Sequence, residues 1–355
     1  MSKKSALHIA KGVEEAPFIN PKWKGAKRRG LNISELTQKV KEGDTAALSS
    51  AITLIESTSE KDESNSSALL NALLPVKKSA FVVGVSGVPG VGKSTFLESY
   101  CSFLLDRDSE TRLAILAVDP SSELSKGSIL GDKTRMESIG KSDRVFIRPS
   151  ASGGKLGGVA RSTYEAVALC EAAGFDFIFV ETVGVGQSET VVSKLTDCFL
   201  FLAMPGTGDE LQGIKKGIME MADIIALNKC DGPRAEQSNH SALELRNALQ
   251  LVSRQQNSWQ TPVVQISALA SKGMEAVWTE LDKYYRHSML NGWFENNRQK
   301  QRAYWFKENV GALLFSSLTK NQDWKKQQEE LLEKVAQGIL SPFEASRMLV
   351  EKLLA

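Results

Sequence analysis

One run of eight residues has the composition and spacing of a phosphate-binding loop. It reads Gly87-Val88-Pro89-Gly90-Val91-Gly92-Lys93-Ser94 and follows an apolar run, Phe81–Val85. In the pattern GxxxxGK[ST], glycines let the backbone curl so that successive N–H groups point at phosphate oxygens. A helix that begins at about Lys93 would add its positive dipole end beneath the same phosphates. The run therefore predicts a nucleoside triphosphate site, and a glycine-rich turn between a strand and a helix is the simpler alternative.

Two side chains of this loop carry distinct chemistry. We expect Lys93 to reach the β- and γ-phosphates as a point charge, which makes it a candidate catalytic residue as well as a binding residue. The Ser94 hydroxyl should bind Mg²⁺. Thr95 follows directly and is grouped with the nucleotide-binding residues. The loop thus predicts a magnesium nucleotide as the ligand.

Acidic residues near later apolar runs are candidate metal ligands. Asp119 ends the run Leu113–Val118, and a carboxylate there can hold Mg²⁺ directly or through water. Asp132 lies in a polar loop with a glycine, which would be a mobile switch near the γ-phosphate. A helix cap or a turn is the alternative role for each aspartate.

Glu181 ends another apolar run and precedes Gly184 by three residues. GTPases commonly have Asp-x-x-Gly at this place, with a glycine N–H that senses the γ-phosphate. Here glutamate replaces aspartate, and Val185 stands where Ras-like proteins have the glutamine that orients the attacking water. We therefore expect slow hydrolysis without a partner, with the water positioned by Glu181 or by groups that a partner supplies.

The base-reading residues should follow the run Ile224–Leu227. The next residues are Asn228, Lys229, Cys230 and Asp231. An aspartate can accept hydrogen bonds from N1–H and from the 2-amino group of guanine, a pair of donors that adenine lacks. Leaving a buried carboxylate unpaired is costly, so such a site discriminates strongly. A second stretch, Ser267-Ala268-Leu269, resembles the other guanine-contacting loop of GTPases.

Short apolar runs alternate with helix-length segments from Ala80 to about Leu290. This alternation predicts a parallel sheet with helices on both faces, because strands buried on both faces need near-continuous apolar runs. Ligands of such sheets gather at the carboxyl ends of the strands, where the residues above stand. The predicted fold class is α/β, of the P-loop NTPase type. The runs are Phe81–Val85, Leu113–Val118, Val145–Ile147, Phe177–Val180, Cys198–Met204, Ile224–Leu227 and Val263–Ile266.

The chain divides into four predicted segments. Residues 1–30 are basic and without periodicity, which indicates a mobile arm whose role stays open. Residues 31–75 form a helical layer, in which Ser57–Ser67 is predicted to be a loop. Residues 76–290 form the nucleotide domain. Residues 291–355 read as helices without strands, whose apolar faces must be buried on the nucleotide domain or against a second copy of the chain.

Composition limits the classes of partner and the cellular location that we expect for the protein. The 355 residues carry a formal net charge of only +2, which gives no electrostatic case for a nucleic-acid partner. No run approaches the roughly 20 apolar residues of a membrane span, and the N-terminal residues lack the apolar core of a leader. The four cysteines form no CxxC pair and read as reduced thiols. We therefore expect a cytoplasmic protein with neither a nucleic-acid nor a membrane partner.

Taken in order, the motifs resemble the methylmalonyl-CoA mutase-associated GTPases of the MeaB/ArgK type. The resemblance covers about Leu31 to the C-terminus, and it leaves out the basic N-terminal arm. It implies a Mg²⁺-dependent GTPase of the metallochaperone-like branch, which binds GTP and GDP. The motifs that carry it are Gly87–Thr95, Val118–Ser122, Gly131–Met136, Val180–Glu189 and Asn228–Asp231.

The resemblance also implies a partner. Such GTPases are chaperones of an adenosylcobalamin-dependent acyl-CoA mutase of the methylmalonyl-CoA mutase type, and they gate cofactor delivery and protect or reactivate the mutase. By the same resemblance Asp119, Asp132 and Glu181 belong to the metal and switch region. Lys215 belongs to a third switch loop, as a further candidate catalytic residue, and the C-terminal helices form a homodimer arm.

Three other functions fit part of the pattern. A nickel metallochaperone GTPase needs Cys or His ligands near the nucleotide, whereas His8, His240 and His287 are dispersed. A nucleotide-dependent kinase linked to amino-acid transport would need an acceptor site, and no acceptor motif is visible. A purely structural nucleotide-binding module would not need a metal carboxylate such as Asp119.

Overall fold

A computed structural model confirms the α/β prediction. It describes residues 32–57, 59–74, 79–118, 136, 138–149, 156–182, 188–206, 216–232, 235–251 and 258–354. Within these residues seven strands form one sheet, and every pair of neighbouring strands is parallel. The basic arm predicted for residues 1–30 lies outside the described residues.

The strand that leads into the phosphate-binding loop lies in the middle of the sheet. The strand order is β3-β2-β4-β1-β5-β6-β7, so β1 has β4 on one side and β5 on the other. This central place puts the carboxyl ends of β4, β5 and β6 near the loop, as expected for ligand sites of open parallel sheets. The strands are β1 Phe81–Gly87, β2 Leu113–Val118, β3 Val145–Arg148, β4 Phe177–Thr182, β5 Cys198–Ala203, β6 Ile224–Leu227 and β7 Val263–Gln265.

Helices cover both faces of the sheet. Consecutive residues of a strand point to opposite faces, so Val82 packs in one apolar cluster and Val83 in the other. The helices are α1 Ile33–Lys41, α2 Thr45–Ile55, α3 Glu60–Leu73, α4 Lys93–Arg107, α5 Leu156–Ala172, α6 Ser188–Ser193, α7 Lys216–Met221, α8 Ala235–Gln250, α9 Met274–Leu290, α10 Trp293–Lys320, α11 Gln322–Ala336 and α12 Pro342–Leu354. The Val82 cluster includes residues of α1, α2, α3 and α5, and the Val83 cluster includes residues of α4 and α9.

The prediction of a loop over Ser57–Ser67 is wrong for most of that stretch. Helix α3 begins at Glu60 and includes the rest of it. Leu69 and Leu73, near the end of α3, are buried against the other N-terminal helices. The Ser66 hydroxyl donates to the carbonyl of Asp62 in α3 (2.8 Å) and to that of Leu54 in α2 (3.0 Å), so it is hydrogen-bonded both within its helix and to the neighbouring one. Packing of the apolar end therefore outweighs the weak helix propensity of the serines.

The C-terminal helices expose many large apolar side chains. Helix α10 begins at Trp293, and its 28 residues span about 42 Å. Helix α11 has no buried residue. Exposed apolar side chains of these three helices and the turn before α12 include Phe306, Leu313, Leu314, Phe315, Leu332, Ile339, Phe343 and Val350.

Two further predictions concern membrane-spanning segments and the state of the cysteines. No helix among them is both long enough and apolar enough to cross a bilayer. All four cysteines are unpaired as disulfides, and Cys101, Cys170 and Cys198 are buried.

Candidate functional site

The glycine-rich turn between β1 and α4 has the backbone of a phosphate cradle. Gly90 (φ +74°) and Gly92 (φ +93°) lie in the left-handed region that favours glycine. The Lys93 ammonium donates to the Gly87 carbonyl at 3.0 Å, so the lysine folds back along the loop. A Cβ on Gly90 would meet no atom within 4 Å, which leaves open space on its side of the loop. The loop fits a phosphate chain bound by backbone N–H groups.

Gly87 is held close to the neighbouring strand, and a larger residue there should damage the loop. An added Cβ would lie 2.5 Å from the carbonyl oxygen of Leu202. Because that atom belongs to the backbone of β5, we expect Gly87→Ala to lower the free energy of unfolding by about 1–3 kcal/mol. We also expect it to weaken GTP binding, and chemical denaturation and nucleotide titration measure the two effects.

Gly311→Ala is the matched control for this substitution. Gly311 lies inside α10, and an added Cβ would meet nothing within 4 Å. Alanine should raise helix stability there by about 0.5–1 kcal/mol. Equal changes in the two variants would contradict the close approach of β1 and β5 at Gly87.

On the metal side, the structure brings together Ser94 and Glu181. The Ser94 hydroxyl donates to Oε1 of Glu181 at 3.1 Å. Glu181 reaches this position because β4 pairs with β1 in a register that sets it opposite Val85. Hydroxyl and carboxylate oxygens are ligands that Mg²⁺ prefers, so this pair fits one side of a magnesium site.

The remaining residues predicted for the metal and switch region fall outside the described residues. They are Asp119, Asp132, Gly184 and Lys215. In the part of the chain that the structure does describe, no group of three or more His, Cys, Asp or Glu side chains is placed to hold a metal ion.

On the base side, Asn228 joins the phosphate loop to the second predicted base loop. Its carboxamide nitrogen donates to the Val91 carbonyl at 2.8 Å, and its oxygen accepts from the Ala268 N–H at 2.8 Å. Asn228 and Ala268 are each only 2% exposed. Three segments distant in sequence thus meet at the carboxyl edge of the sheet.

Lys229 and Asp231 flank this junction. Lys229 has a left-handed backbone (φ +64°), and its ammonium donates to the Gly90 carbonyl at 2.7 Å. A lysine rarely adopts this conformation, so the contact indicates a constrained loop. Asp231 is half-buried beside it. Leu269, also predicted here, is 87% exposed.

Sequence reasoning missed five polar residues around the site. The Thr182 hydroxyl donates to the buried Ser86 hydroxyl at 2.8 Å, which joins β4 to β1 just below the loop. On α4, Ser99 donates to the Ala268 carbonyl at 2.6 Å, and Glu98 accepts hydrogen bonds from Ser138. Isolated serines and glutamates carry no motif, so only the fold reveals these contacts.

Comparison with known proteins identifies the family of the chain. The profile of the family "Methylmalonyl Co-A mutase-associated GTPase MeaB" matches residues 48–323. A relative from Caulobacter vibrioides, named "Putative GTPase", is 47% identical over 275 residues, which are 78% of this chain and 83% of that protein. The Mus musculus protein "Methylmalonic aciduria type A homolog, mitochondrial" is 38% identical over 319 residues, 87% of this chain and 76% of that protein.

A solved structure has the same fold over most of its length. It is described as "LAO/AO transport system kinase", is 33% identical, and superposes with a TM-score of 0.71 over 91% of this chain and 98% of that one. The profile match spans well over half of the chain, and it covers the phosphate loop, Glu181 and both base loops. The chain is therefore a GTPase that belongs to the methylmalonyl-CoA mutase-associated MeaB family.

Proposed function

We propose that the chain is a guanine-nucleotide-dependent chaperone of an adenosylcobalamin-dependent acyl-CoA mutase of the methylmalonyl-CoA mutase type. In this role it gates delivery of the cofactor and protects or reactivates the mutase. The observation that carries the proposal is the family match over residues 48–323, in a family described by its association with that mutase. The proposal includes the cytoplasmic setting expected from the sequence.

The proposed site binds GTP and GDP with guanine and phosphates on opposite sides of Asn228. Residues 87–95 wrap the phosphates, with Lys93 as the point charge on the β- and γ-phosphates. Asp231 accepts from guanine, and Ala268 and its neighbours Ser267 and Leu269 form the second base loop. The distances from Asn228 to Val91 and to Ala268, both 2.8 Å, support a common placement of the two ends of the nucleotide.

Magnesium is part of the same proposal. Its ligands would be Ser94 and the carboxylates of Asp119, Asp132 and Glu181, and the bound ion would neutralise charge that develops on the phosphates. Glu181, which stands at hydrogen-bond distance from Ser94, is also proposed to orient a water near the γ-phosphate. Lys215 is proposed as a further catalytic residue. We expect hydrolysis well below the roughly 10 per second that is typical of enzymes, until a partner binds.

The C-terminal helices are proposed as a homodimer arm. Phe306, Leu314 and Phe343 are between 61% and 81% exposed, and large exposed apolar side chains gathered in one region are typical of protein interfaces. A second copy of the chain would cover them. We expect light scattering to give the mass of a dimer for the unmodified chain. The double variant Phe306→Glu and Leu314→Glu should give a monomer with unchanged nucleotide affinity, and an unmodified chain that is monomeric at high concentration would contradict the arm.

A binding experiment tests the mutase role. Tagged protein loaded with GDP, with a non-hydrolysable GTP analogue or with no nucleotide is used to capture partners, which are then identified. Recovery of a cobalamin-dependent mutase in one nucleotide state supports the chaperone role. Failure to recover any such mutase in every state argues against it.

A kinase role is the second candidate, because a similar solved structure is described as a transport system kinase. Phosphoryl transfer would give labelled acceptor from γ-labelled GTP, whereas a switch GTPase gives only inorganic phosphate. Appearance of label on any acceptor would favour the kinase.

A further inference from the structure

Two buried hydroxyl groups join β1 to β4 beneath the phosphate loop. The Thr182 hydroxyl donates to the Ser86 hydroxyl at 2.8 Å, and the two residues are 1% and 0% exposed. Ser86 directly precedes Gly87, the first residue of the phosphate loop, and Thr182 directly follows Glu181. This hydroxyl pair therefore connects the strand that enters the loop to the strand that carries the carboxylate beside Ser94.

The hydroxyl pair lies at the carboxyl end of the contact between β1 and β4. The register of these strands sets Val85 opposite Glu181. Ser86 and Thr182 are the next residue of each strand, and their side chains bond there. A hydrogen bond has a preferred length and direction, so it limits the shift and rotation of a strand end more closely than apolar contact does. The end of β4 is thus held to β1 by a directional contact.

Glu181 and Thr182 point to opposite faces of the sheet, because successive side chains of a strand alternate. Val180 packs in the Val82 cluster, and Thr182 is two residues further on the same face. Glu181 lies on the other face, where its carboxylate accepts from the Ser94 hydroxyl of α4 at 3.1 Å. The end of β4 is therefore held from both faces, by the hydroxyl pair on one and by Ser94 on the other.

Stability of the fold does not require the hydroxyl pair. Replacing both partners of a buried hydrogen bond by apolar groups of similar shape can leave stability nearly unchanged. Removing one partner is costly, because the other hydroxyl then stays buried without a hydrogen bond. A buried polar pair whose groups are satisfied rigidifies its surroundings in one arrangement. The pair therefore contributes mainly to the position of the strand end, and Glu181 is the group with chemistry at that end.

We propose that Ser86 and Thr182 are positioning residues for Glu181. Their hydrogen bond holds the end of β4 against β1, so that the Glu181 carboxylate stays beside Ser94. Both hydroxyls are buried on the other face of the sheet, and they act on hydrolysis through Glu181. The inference rests on the proposed role of Glu181 in hydrolysis, and it is independent of the mutase role.

The double variant Ser86→Ala and Thr182→Val removes both hydroxyls and keeps the side chains similar in size. Its midpoint of urea denaturation should stay near that of the unmodified chain, because no polar group is left unpaired. Its rate at saturating GTP should fall by about 3- to 10-fold, the effect of one hydrogen bond of ordinary strength. Affinity for GDP should stay within about twofold, since the hydrogen bonds of Asn228 that join the two loops are kept.

Thr182→Ser should have the opposite signature. It keeps the hydroxyl and removes one buried methyl group, which should lower the urea midpoint. The rate at saturating GTP should stay within about twofold of that of the unmodified chain, because the hydrogen bond to Ser86 is kept. Each single removal, Thr182→Val or Ser86→Ala, should lower both the midpoint and the rate, because one hydroxyl is left unpaired.

Thr37→Val is the matched control for the exchange of a buried threonine. Thr37 lies in α1, is 8% exposed, and donates to the Ile33 carbonyl at 2.7 Å. Its substitution should leave the rate at saturating GTP within about twofold, because α1 lies outside the proposed site. Glu181→Ala supplies the reference and should lower that rate at least as far as the double variant does.

The outcomes separate the inference from the role on which it rests. If Glu181→Ala hydrolyses GTP at the unmodified rate, the proposed role of Glu181 and this inference both fail. If Glu181→Ala lowers the rate but the double variant does not, only the inference is overturned. The same holds if the rate follows the urea midpoint across all variants, as a purely structural role requires. A stable double variant with slow hydrolysis, beside a less stable Thr182→Ser with normal hydrolysis, supports the inference.

Discussion

The variant Asp231→Asn should bind xanthine nucleotides in place of guanine nucleotides. In the proposed site the carboxylate accepts from guanine N1–H and from its 2-amino group, whereas a carboxamide offers a donor that suits the 2-oxo group of xanthine. Hydrogen bonds to a charged group contribute about 1.5–3 kcal/mol each, so losing two should weaken GDP by about 10²- to 10⁴-fold. Competition of GDP and XDP against a fluorescent nucleotide measures the change.

Glu236→Gln is the control for the loss of one negative charge nearby. Glu236 lies exposed in the first turn of α8, a few residues after Asp231. Its substitution should leave the preference for guanine intact. A preference that is unchanged in Asp231→Asn would mean that Asp231 does not read the base.

The second prediction concerns the stability of the fold and the residue Arg298 of α10. Arg298 is buried among acidic groups at the end of the sheet opposite the phosphate loop. Its guanidinium donates to both oxygens of Asp197 (2.8 and 2.6 Å), to Glu171 (2.6 Å) and to the Ala80 carbonyl (2.7 Å). Burial alone would lower the pKa of Arg298, but hydrogen bonds and charge from the two carboxylates outweigh it and raise the pKa. The arginine therefore stays charged, and it ties α10 to the strand that leads into the phosphate loop.

Arg298→Ala should lower the free energy of unfolding by about 3–5 kcal/mol, because it leaves two buried carboxylates without their partner. Arg302→Ala, one turn further along α10, is the matched control. Arg302 pairs with Glu295 at 2.6 Å, but both side chains are more than half exposed, so solvent screening limits the loss to about 1 kcal/mol or less. Urea denaturation of the two variants gives the comparison. Similar losses would contradict the buried network.

The sequence predicted the fold correctly, because alternating apolar runs and helix-length segments are a local pattern, and its motifs also predicted a site at one edge of the sheet. Seven apolar runs became seven strands, and the glycine turn after β1 leads into a helix that begins at Lys93. Residues at or just after the carboxyl ends of different strands meet because parallel strands end at one edge. The contact between Ser94 and Glu181 is of this kind.

Other features leave no local pattern. Ser99 and Ala268 are 169 positions apart, and their contact depends on the tertiary packing of α4. Arg298 stands in a polar stretch that looks solvent-exposed, yet packing of α10 buries its charge against Asp197. The serines of α3 led to a wrong prediction. Their local composition favours a loop, whereas burial of Leu69 and Leu73 stabilises a helix.

The central claim is that the nucleotide in this site controls association with an adenosylcobalamin-dependent acyl-CoA mutase. The most direct measurement is sedimentation of purified Asp231→Asn protein with methylmalonyl-CoA mutase, in the presence of guanine or xanthine nucleotides. The account predicts that complex formation and mutase-stimulated hydrolysis follow guanine nucleotides in the unmodified chain and xanthine nucleotides in the variant. Absence of a complex in every state, or a complex that ignores the base, would contradict it.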